Sequence, residues 1–239
     1  HSHIGSQIFE VEGFRMAAEK LTAFAVDVKN RWDKTFSVLN FGGGFGIRYV
    51  DGDKPLPVGT YVKAIADAVI AACRSAGYPL PEIWIEPGRS IIGDAGTTLY
   101  TVGTYKEIPG IRKYVAVDGG MTDNPRPALY GAKYEGILAN RANETASEVV
   151  SVAGKCCESG DMLIWDLGLP PVKPGDLLAV FCTGAYNYAM ASNYNRIPRP
   201  AVVFVRDGTA DLVVARETYD DIVSLDRIPE RMRKQPVGR

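Results

Sequence analysis

No apolar run in the 239-residue chain approaches the roughly 20 residues needed to cross a bilayer; the longest, such as Leu177 to Cys182, are strand-sized. No membrane span is expected. Neither charge is in excess, since 27 Lys and Arg face 28 Asp and Glu for a net charge of -1, which argues against a general polyanion-binding surface and against nucleic acid as a partner. Cysteine is scarce. Cys73, Cys156, Cys157 and Cys182 have neither the density of a secreted disulfide scaffold nor the paired spacing of a zinc site, so a cytoplasmic setting and no metal are expected. Internal repeats and low-complexity tracts are also missing. What is present is globular in kind: 46% apolar and 23% charged residues, with enough length for one large or two modest domains.

The chain opens on His1-Ser2-His3-Ile4-Gly5-Ser6 with no initiator Met and no signal peptide, and it reads as an interior cut more than as a tag remnant. From Phe14, the positions Phe14, Ala17, Ala18, Leu21, Phe24, Ala25 and Val28 keep helical spacing. Phe36 to Asn40 then reads as a strand that ends in Gly42-Gly43-Gly44-Phe45-Gly46. A second helix runs through Tyr61, Ile65, Val69 and Cys73 and stops at Gly77, and Ile83 to Glu86 forms another strand before Pro87-Gly88-Arg89. Strand alternating with helix predicts parallel strands with right-handed crossovers. Beyond about Ser90 helical periodicity nearly vanishes. Strand-like segments at 98–105, 113–117, 148–152, 177–182, 201–206 and 212–216, separated by turn dipeptides such as Pro109-Gly110 and Asp207-Gly208, predict an antiparallel sandwich or barrel. A boundary near residue 95 divides the chain into an α/β part (1–95) and a β part (96–239), and the tail from Pro229 to Arg239 is expected to fray.

In parallel α/β structures, binding groups collect at the carboxyl ends of strands. Three such ends carry chemistry here: His3 to Ser6, Gly42 to Gly46, and Glu86 to Arg89. Glycines let backbone amides approach a phosphate, and Ser6 adds a hydroxyl. A tight turn is the plainer explanation of the glycines, and a buried ion pair the plainer explanation of Glu86 with Arg89. Together, an imidazole, a phosphate-sized cradle and a rigid carboxylate suit a flat heteroaromatic ring bearing a phosphate, with one ring nitrogen facing an anion.

These motifs resemble those of the pyridoxal-phosphate decarboxylases of alanine racemase-like fold type III. Asp118-Gly119-Gly120-Met121, Arg126-Pro127-Ala128-Leu129-Tyr130-Gly131-Ala132, Cys157-Glu158-Ser159-Gly160-Asp161 and Gly184-Ala185-Tyr186 narrow the resemblance to the diaminopimelate decarboxylases, over residues 1 to about 225. The resemblance implies the carboxyl-terminal part of a (β/α)8 barrel followed by a β-domain. It also implies pyridoxal 5'-phosphate as cofactor and decarboxylation of meso-2,6-diaminopimelate to L-lysine and CO2. By the same resemblance, His3 stacks on the cofactor ring and Glu86 pairs with its nitrogen, Ser6, Gly43, Gly44 and Tyr186 hold the phosphate, and Gly88 and Arg89 complete the cofactor-binding set. Arg89, Arg126, Tyr130, Glu158 and Tyr186 bind substrate, and Cys157 returns a proton to the carbanion. Cys157 and Glu158 are expected to reach the site from the partner subunit of a homodimer. Outside the motif, Cys157 reads as β-domain filler, Tyr130 as a core aromatic and Arg126 as a surface arginine.

The family's aldimine lysine lies upstream of the His-Ile-Gly-Ser motif, and none of the eleven lysines here stands at a strand end ahead of His3. Lys34 and Lys133 come nearest to motif positions, where helix-end or loop roles explain them. The chain is therefore expected to be a piece of the enzyme, doubtful as a catalyst on its own. The alternatives are a non-catalytic binding or regulatory fragment, or a related ornithine, arginine or carboxynorspermidine decarboxylase. Arg126 and Tyr130 suit a distal carboxylate, which favours diaminopimelate.

Overall fold

A computed structural model describes residues 1–233 of the chain. Helix α1 (Glu12–Trp32) buries Phe14, Ala18, Ala25 and Val28 along one stripe, and helix α2 (Val58–Ala76) buries Tyr61, Ile65, Val69 and Cys73 before ending at Gly77, as the apolar spacing requires. Strand β1 (Val38–Asn40) pairs in parallel with strand β2 (Glu82–Trp84), with Leu39 opposite Ile83. Both strands are shorter than their apolar runs, and Glu86 lies beyond the end of β2. The segment His3–Ser6 is not a strand end. Gly5 at φ 134° and Gln7 at φ 59° break the extended run, leaving one bond from Ser2 N–H to the Asn40 carbonyl (2.9 Å) and an isolated parallel bridge between Ile8 and Phe45.

These three segments still lie side by side. Phe41 N–H donates to the Trp84 carbonyl at 3.0 Å and Glu86 N–H to the Gly42 carbonyl at 2.7 Å, so the glycine run and Glu86 share one edge. Phe45, the bulky residue within the run, anchors it. Its ring is 1% exposed and lies 5.0 Å from Phe14 and 5.2 Å from Tyr61, which ties the loop to both helices. Burial of one such ring is worth about 1.5–3 kcal/mol, enough to hold a loop that its glycines alone would leave loose.

Helix α3 (Gly88–Ile92) leads into strands β3 (Thr97–Ile108) and β4 (Arg112–Val117). Then come helix α4 (Arg126–Tyr130) and strands β5 (Gly136–Leu138), β6 (Glu148–Ala153), β7 (Met162–Leu169) and β8 (Leu177–Phe181). They form a six-stranded sheet in the order β5-β8-β3-β4-β6-β7. The sheet is mixed, not purely antiparallel as expected, because β4 and β6 pair in parallel. The long excursion through α4 and β5 between them provides the crossover that a parallel pair needs. Tyr100, Val102, Val115, Val117, Val150, Val152, Leu178 and Val180 build its core, and Ile47 and Tyr49, from just after the glycine run, pack into the same core.

Strands β9 (Val202–Arg206) and β10 (Thr209–Val214) form a separate hairpin, followed by helix α5 (Tyr219–Val223), which opens with a capping box of Thr218 and Asp221. The last strand begins earlier than its apolar run suggests, because the Asp207-Gly208 turn fixes Thr209 opposite Arg206. Of the tail expected to fray, residues 234–239 lie outside the described residues, and Glu230–Met232 form one short 3-10 turn. Among the described residues, no helix is long and apolar enough to cross a membrane.

Candidate functional site

A cavity of about 730 Å³ opens where the carboxyl edge of the parallel segments meets the mixed sheet. His3, Ser6, Arg89, Arg126, Tyr130 and Tyr186 all contribute to its wall. The elements that bring the last four there have local causes. Arg89 sits in the short helix α3. Arg126 and Tyr130 lie on α4, which starts after Pro125 and carries Pro127 in its first turn, where a missing amide is harmless. Tyr186 follows a turn pinned by Thr183 N–H to the Gly96 carbonyl and Gly184 N–H to the Gly93 carbonyl, each at 3.0 Å. Its backbone is left-handed, φ 64°, an uncommon conformation for tyrosine that the pinned turn imposes.

Arg89 and Arg126 are each only 7% exposed, and both are served by neutral groups. Arg89 donates to the Tyr49 hydroxyl and to Ser6 Oγ (2.7 Å) and lies 4.8 Å over the Tyr186 ring. Its Nε is buried with no partner. Arg126 donates to the Tyr134 hydroxyl at 2.6 Å. Burial raises the Tyr134 phenol above its ordinary pKa, with the Arg126 guanidinium working in the opposite direction. Asp53 also borders the cavity, but one of its carboxylate oxygens is occupied by Tyr49 N–H (2.9 Å) and Val50 N–H (3.2 Å). Among the described residues, neither buried guanidinium has a carboxylate within ion-pair distance. Two desolvated cations without an anion are unfavourable unless a ligand brings one. The arrangement can accept anionic groups.

The ion pair offered as the plain explanation of Glu86 with Arg89 does not form. The Glu86 carboxylate, 55% exposed, accepts from Asn40 Nδ2 at 2.8 Å and meets His1 Nε2 at 3.4 Å, whereas Arg89 turns towards Ser6. Glu86 stands at the same edge as the cavity without forming part of its lining. Its neighbour is the glycine run: a Cβ on Gly43 would overlap the Glu86 carbonyl oxygen, and one on Gly44, at φ 100°, would overlap the Gly5 carbonyl oxygen. Both glycines are therefore fixed by backbone close approach, and Gly43 N–H donates to His3 Nδ1 at 3.2 Å. Gly88 starts α3, and a Cβ there would sit 3.9 Å from the Tyr186 hydroxyl.

Two of the plainer alternatives for single residues do not hold. Arg126 is buried, not a surface arginine, and Tyr130 is 66% exposed at the cavity wall, not a core aromatic. Lys133 is exposed in a loop as expected, yet it also borders the cavity.

Cys157 and Glu158 are not part of the cavity wall. They lie on the turn between β6 and β7, exposed, with Glu158 accepting from the Tyr194 hydroxyl at 3.3 Å; that carboxylate raises the Tyr194 pKa. The turn is held by Asp161, whose buried carboxylate accepts from Met121 N–H (2.6 Å) and Cys156 N–H (2.8 Å) and so joins two of the sequence motifs. Burial, then the Asp161 charge, pushes the Cys156 thiol up to about 11, which leaves it almost wholly protonated near neutral pH. Sequence reasoning missed Tyr49, Gln7 and Tyr134. Gln7 both donates to the Ile47 carbonyl (2.6 Å) and accepts from Ile47 N–H (3.2 Å), which fixes the chain between the glycine run and Tyr49.

A family model described as pyridoxal-dependent decarboxylase, C-terminal sheet domain, matches residues 23–184. The chain belongs to this family. It is 64% identical over 226 residues to the diaminopimelate decarboxylase of Bacillus subtilis (strain 168), covering 95% of this chain and 52% of that protein. The diaminopimelate decarboxylase of Staphylococcus aureus (strain COL) is 50% identical, with 95% and 53% covered. Among solved structures, a diaminopimelate decarboxylase from M. jannaschii in co-complex with L-lysine superposes with a TM-score of 0.89 at 36% identity, covering 96% of this chain and 52% of that one. The Helicobacter pylori diaminopimelate decarboxylase complexed with L-lysine gives 0.81 at 30% identity, with 93% and 52% covered. The chain thus spans about half the length of the relatives it matches, and it shares their fold over that half.

Proposed function

We propose that the whole protein is a cytoplasmic homodimer that decarboxylates meso-2,6-diaminopimelate to L-lysine and CO2 with pyridoxal 5'-phosphate. In this reading, residues 1–95 are the carboxyl-terminal part of a (β/α)8 barrel and residues 96–239 the β-domain. The observation that carries it is the pair of buried arginines, without a carboxylate partner among the described residues, set in one cavity beside Ser6, Tyr130 and Tyr186. These residues fit the family's cofactor: the buried, unpartnered Arg89 Nε and the hydroxyls of Ser6 and Tyr186 offer donors to an anion at one cavity wall.

His3 would lie against the cofactor ring, with Ser6, Gly43, Gly44, Gly88, Arg89 and Tyr186 at its phosphate end and Glu86 at its nitrogen. Bound there, pyridoxal phosphate supplies the electron sink for the pair left when CO2 departs. The Glu86 carboxylate keeps a proton on the ring nitrogen by favouring its charged form. Arg126 grips a substrate carboxylate, and its burial strengthens that attraction by excluding water. Tyr130 closes the substrate side of the cavity. Cys157 and Glu158, set away from the cavity of their own chain, would serve the partner subunit's site, with the Cys157 thiol returning the proton and Glu158 answering the distal ammonium.

The test is release of CO2 from meso-diaminopimelate by the whole protein supplied with pyridoxal phosphate, with L-ornithine and L-arginine as competitors for identity. Lysine formation from diaminopimelate alone is the expected result. Faster turnover of ornithine or arginine would reassign the substrate.

A further inference from the structure

The surroundings of Tyr49 carry an inference that rests on the cavity being the catalytic site and goes beyond the residues assigned to it. Tyr49 is 6% exposed and borders the cavity. The guanidinium carbons of Arg89 and Arg126 lie over its ring, 5.5 and 4.9 Å from the centroid. Its hydroxyl accepts from Arg89, and its ring stands edge-on to Tyr134 at 5.3 Å, the residue whose hydroxyl accepts from Arg126. The two cations therefore lean on one aromatic post and can be no farther apart than the sum of their distances to it. That post is itself fixed. Its amide is held by Asp53, and Ile47, which packs in the same core, is held on both sides by the Gln7 side chain.

We propose that Tyr49 is a positioning residue that sets both arginines for a ligand anionic at two points. The negative face of the ring attracts both guanidinium groups, which would otherwise repel each other across the cavity. The hydroxyl adds one hydrogen bond to Arg89, secondary to the ring, and leaves the Arg89 Nε free. Without the ring, each arginine would relax towards water and lose its preset orientation, so anion binding would weaken at both points.

The test compares Tyr49→Leu and Tyr49→Phe in the whole protein. Titration of the cofactor-free protein with pyridoxal phosphate, and separately with inorganic phosphate, gives dissociation constants. Steady-state kinetics with diaminopimelate give KM and kcat. Tyr49→Leu is expected to raise both the dissociation constants and KM about tenfold or more, with a smaller change in kcat, as loss of positioning at two binding points predicts. Tyr49→Phe keeps the ring and is expected to return KM to within about threefold of the unsubstituted value. If Tyr49→Leu does not fold, Tyr49→Met, which fills the space with a flexible apolar chain, takes its place with the same expectations. Dissociation constants and KM that stay within about twofold while Tm falls would make Tyr49 a packing residue and overturn the proposal. So would a phenylalanine variant as impaired as the leucine one. A whole protein with no decarboxylase activity would defeat the functional reading alone, because the phosphate titrations still decide the role of Tyr49.

Discussion

Replacing Glu86 with Gln in the whole protein is expected to lower kcat for diaminopimelate by about a hundredfold or more, with little change in Tm. The size follows from the role: the carboxylate keeps the ring nitrogen protonated, so its loss removes the positive charge that would take up the electron pair, and loss of one such charge-stabilising group costs about 2.7–4 kcal/mol. The small stability effect follows from the surroundings. The carboxylate is 55% exposed, and a glutamine oxygen can still accept from Asn40 Nδ2. Steady-state rates with saturating cofactor, beside a thermal melt, separate the two effects. A loss of less than about threefold in kcat would remove Glu86 from its assigned place at the ring nitrogen.

The second large effect is steric. Gly43→Ala drives a methyl group into the Glu86 carbonyl oxygen, and the collision is with backbone on both sides, so no side chain can swing away. The loop must move. Because Gly43 N–H also holds His3 Nδ1, the shift displaces His3 and Glu86 together, the residues proposed for the ring face and the ring nitrogen. Overpacking of this kind costs about 1–3 kcal/mol in stability. The expected functional loss is larger, at least about a hundredfold in kcat/KM, since small misplacements of reacting groups are heavily penalised. Gly59→Ala in α2 is the control: a Cβ there meets nothing within 4 Å, and a helical alanine should leave activity intact and stability equal or slightly raised. Equal activity in the Gly43 and Gly59 variants would show that the close approach at Gly43 does not matter to the site.

Much of the first part of the chain was legible because its signals are periodic. Phe14 to Val28 and Tyr61 to Cys73 announce helices at their observed places, and the join between glycine run and Glu86 follows from strand ends that gather at one edge. The mixed sheet was harder to read. Strand β7 was missed because Asp166 takes a left-handed backbone, φ 56°, and its pairing with β6 shifts register, so alternation breaks in the middle of the strand. β5 is only three residues long and carries no pattern of its own.

The site divides in the same way. Residues within motifs were named because resemblance marked them, and the glycines among them answer to neighbouring backbone. Tyr49 stayed hidden. It lies between motifs, and what singles it out is the approach of Arg89 and Arg126 from distant parts of the chain, a long-range fact that no local spacing encodes. The buried state of Arg126 was invisible for the same reason, since the groups that cover it, Tyr49 and Tyr134, come from separate segments.

A crystal structure of the whole protein with pyridoxal phosphate tests the site most directly. The phosphate is expected in hydrogen-bond contact with Ser6, Tyr186 and the Gly43-Gly44 loop, and the ring nitrogen within about 3 Å of the Glu86 carboxylate. A phosphate bound away from this cavity, or a ring nitrogen facing any group other than Glu86, would contradict this placement.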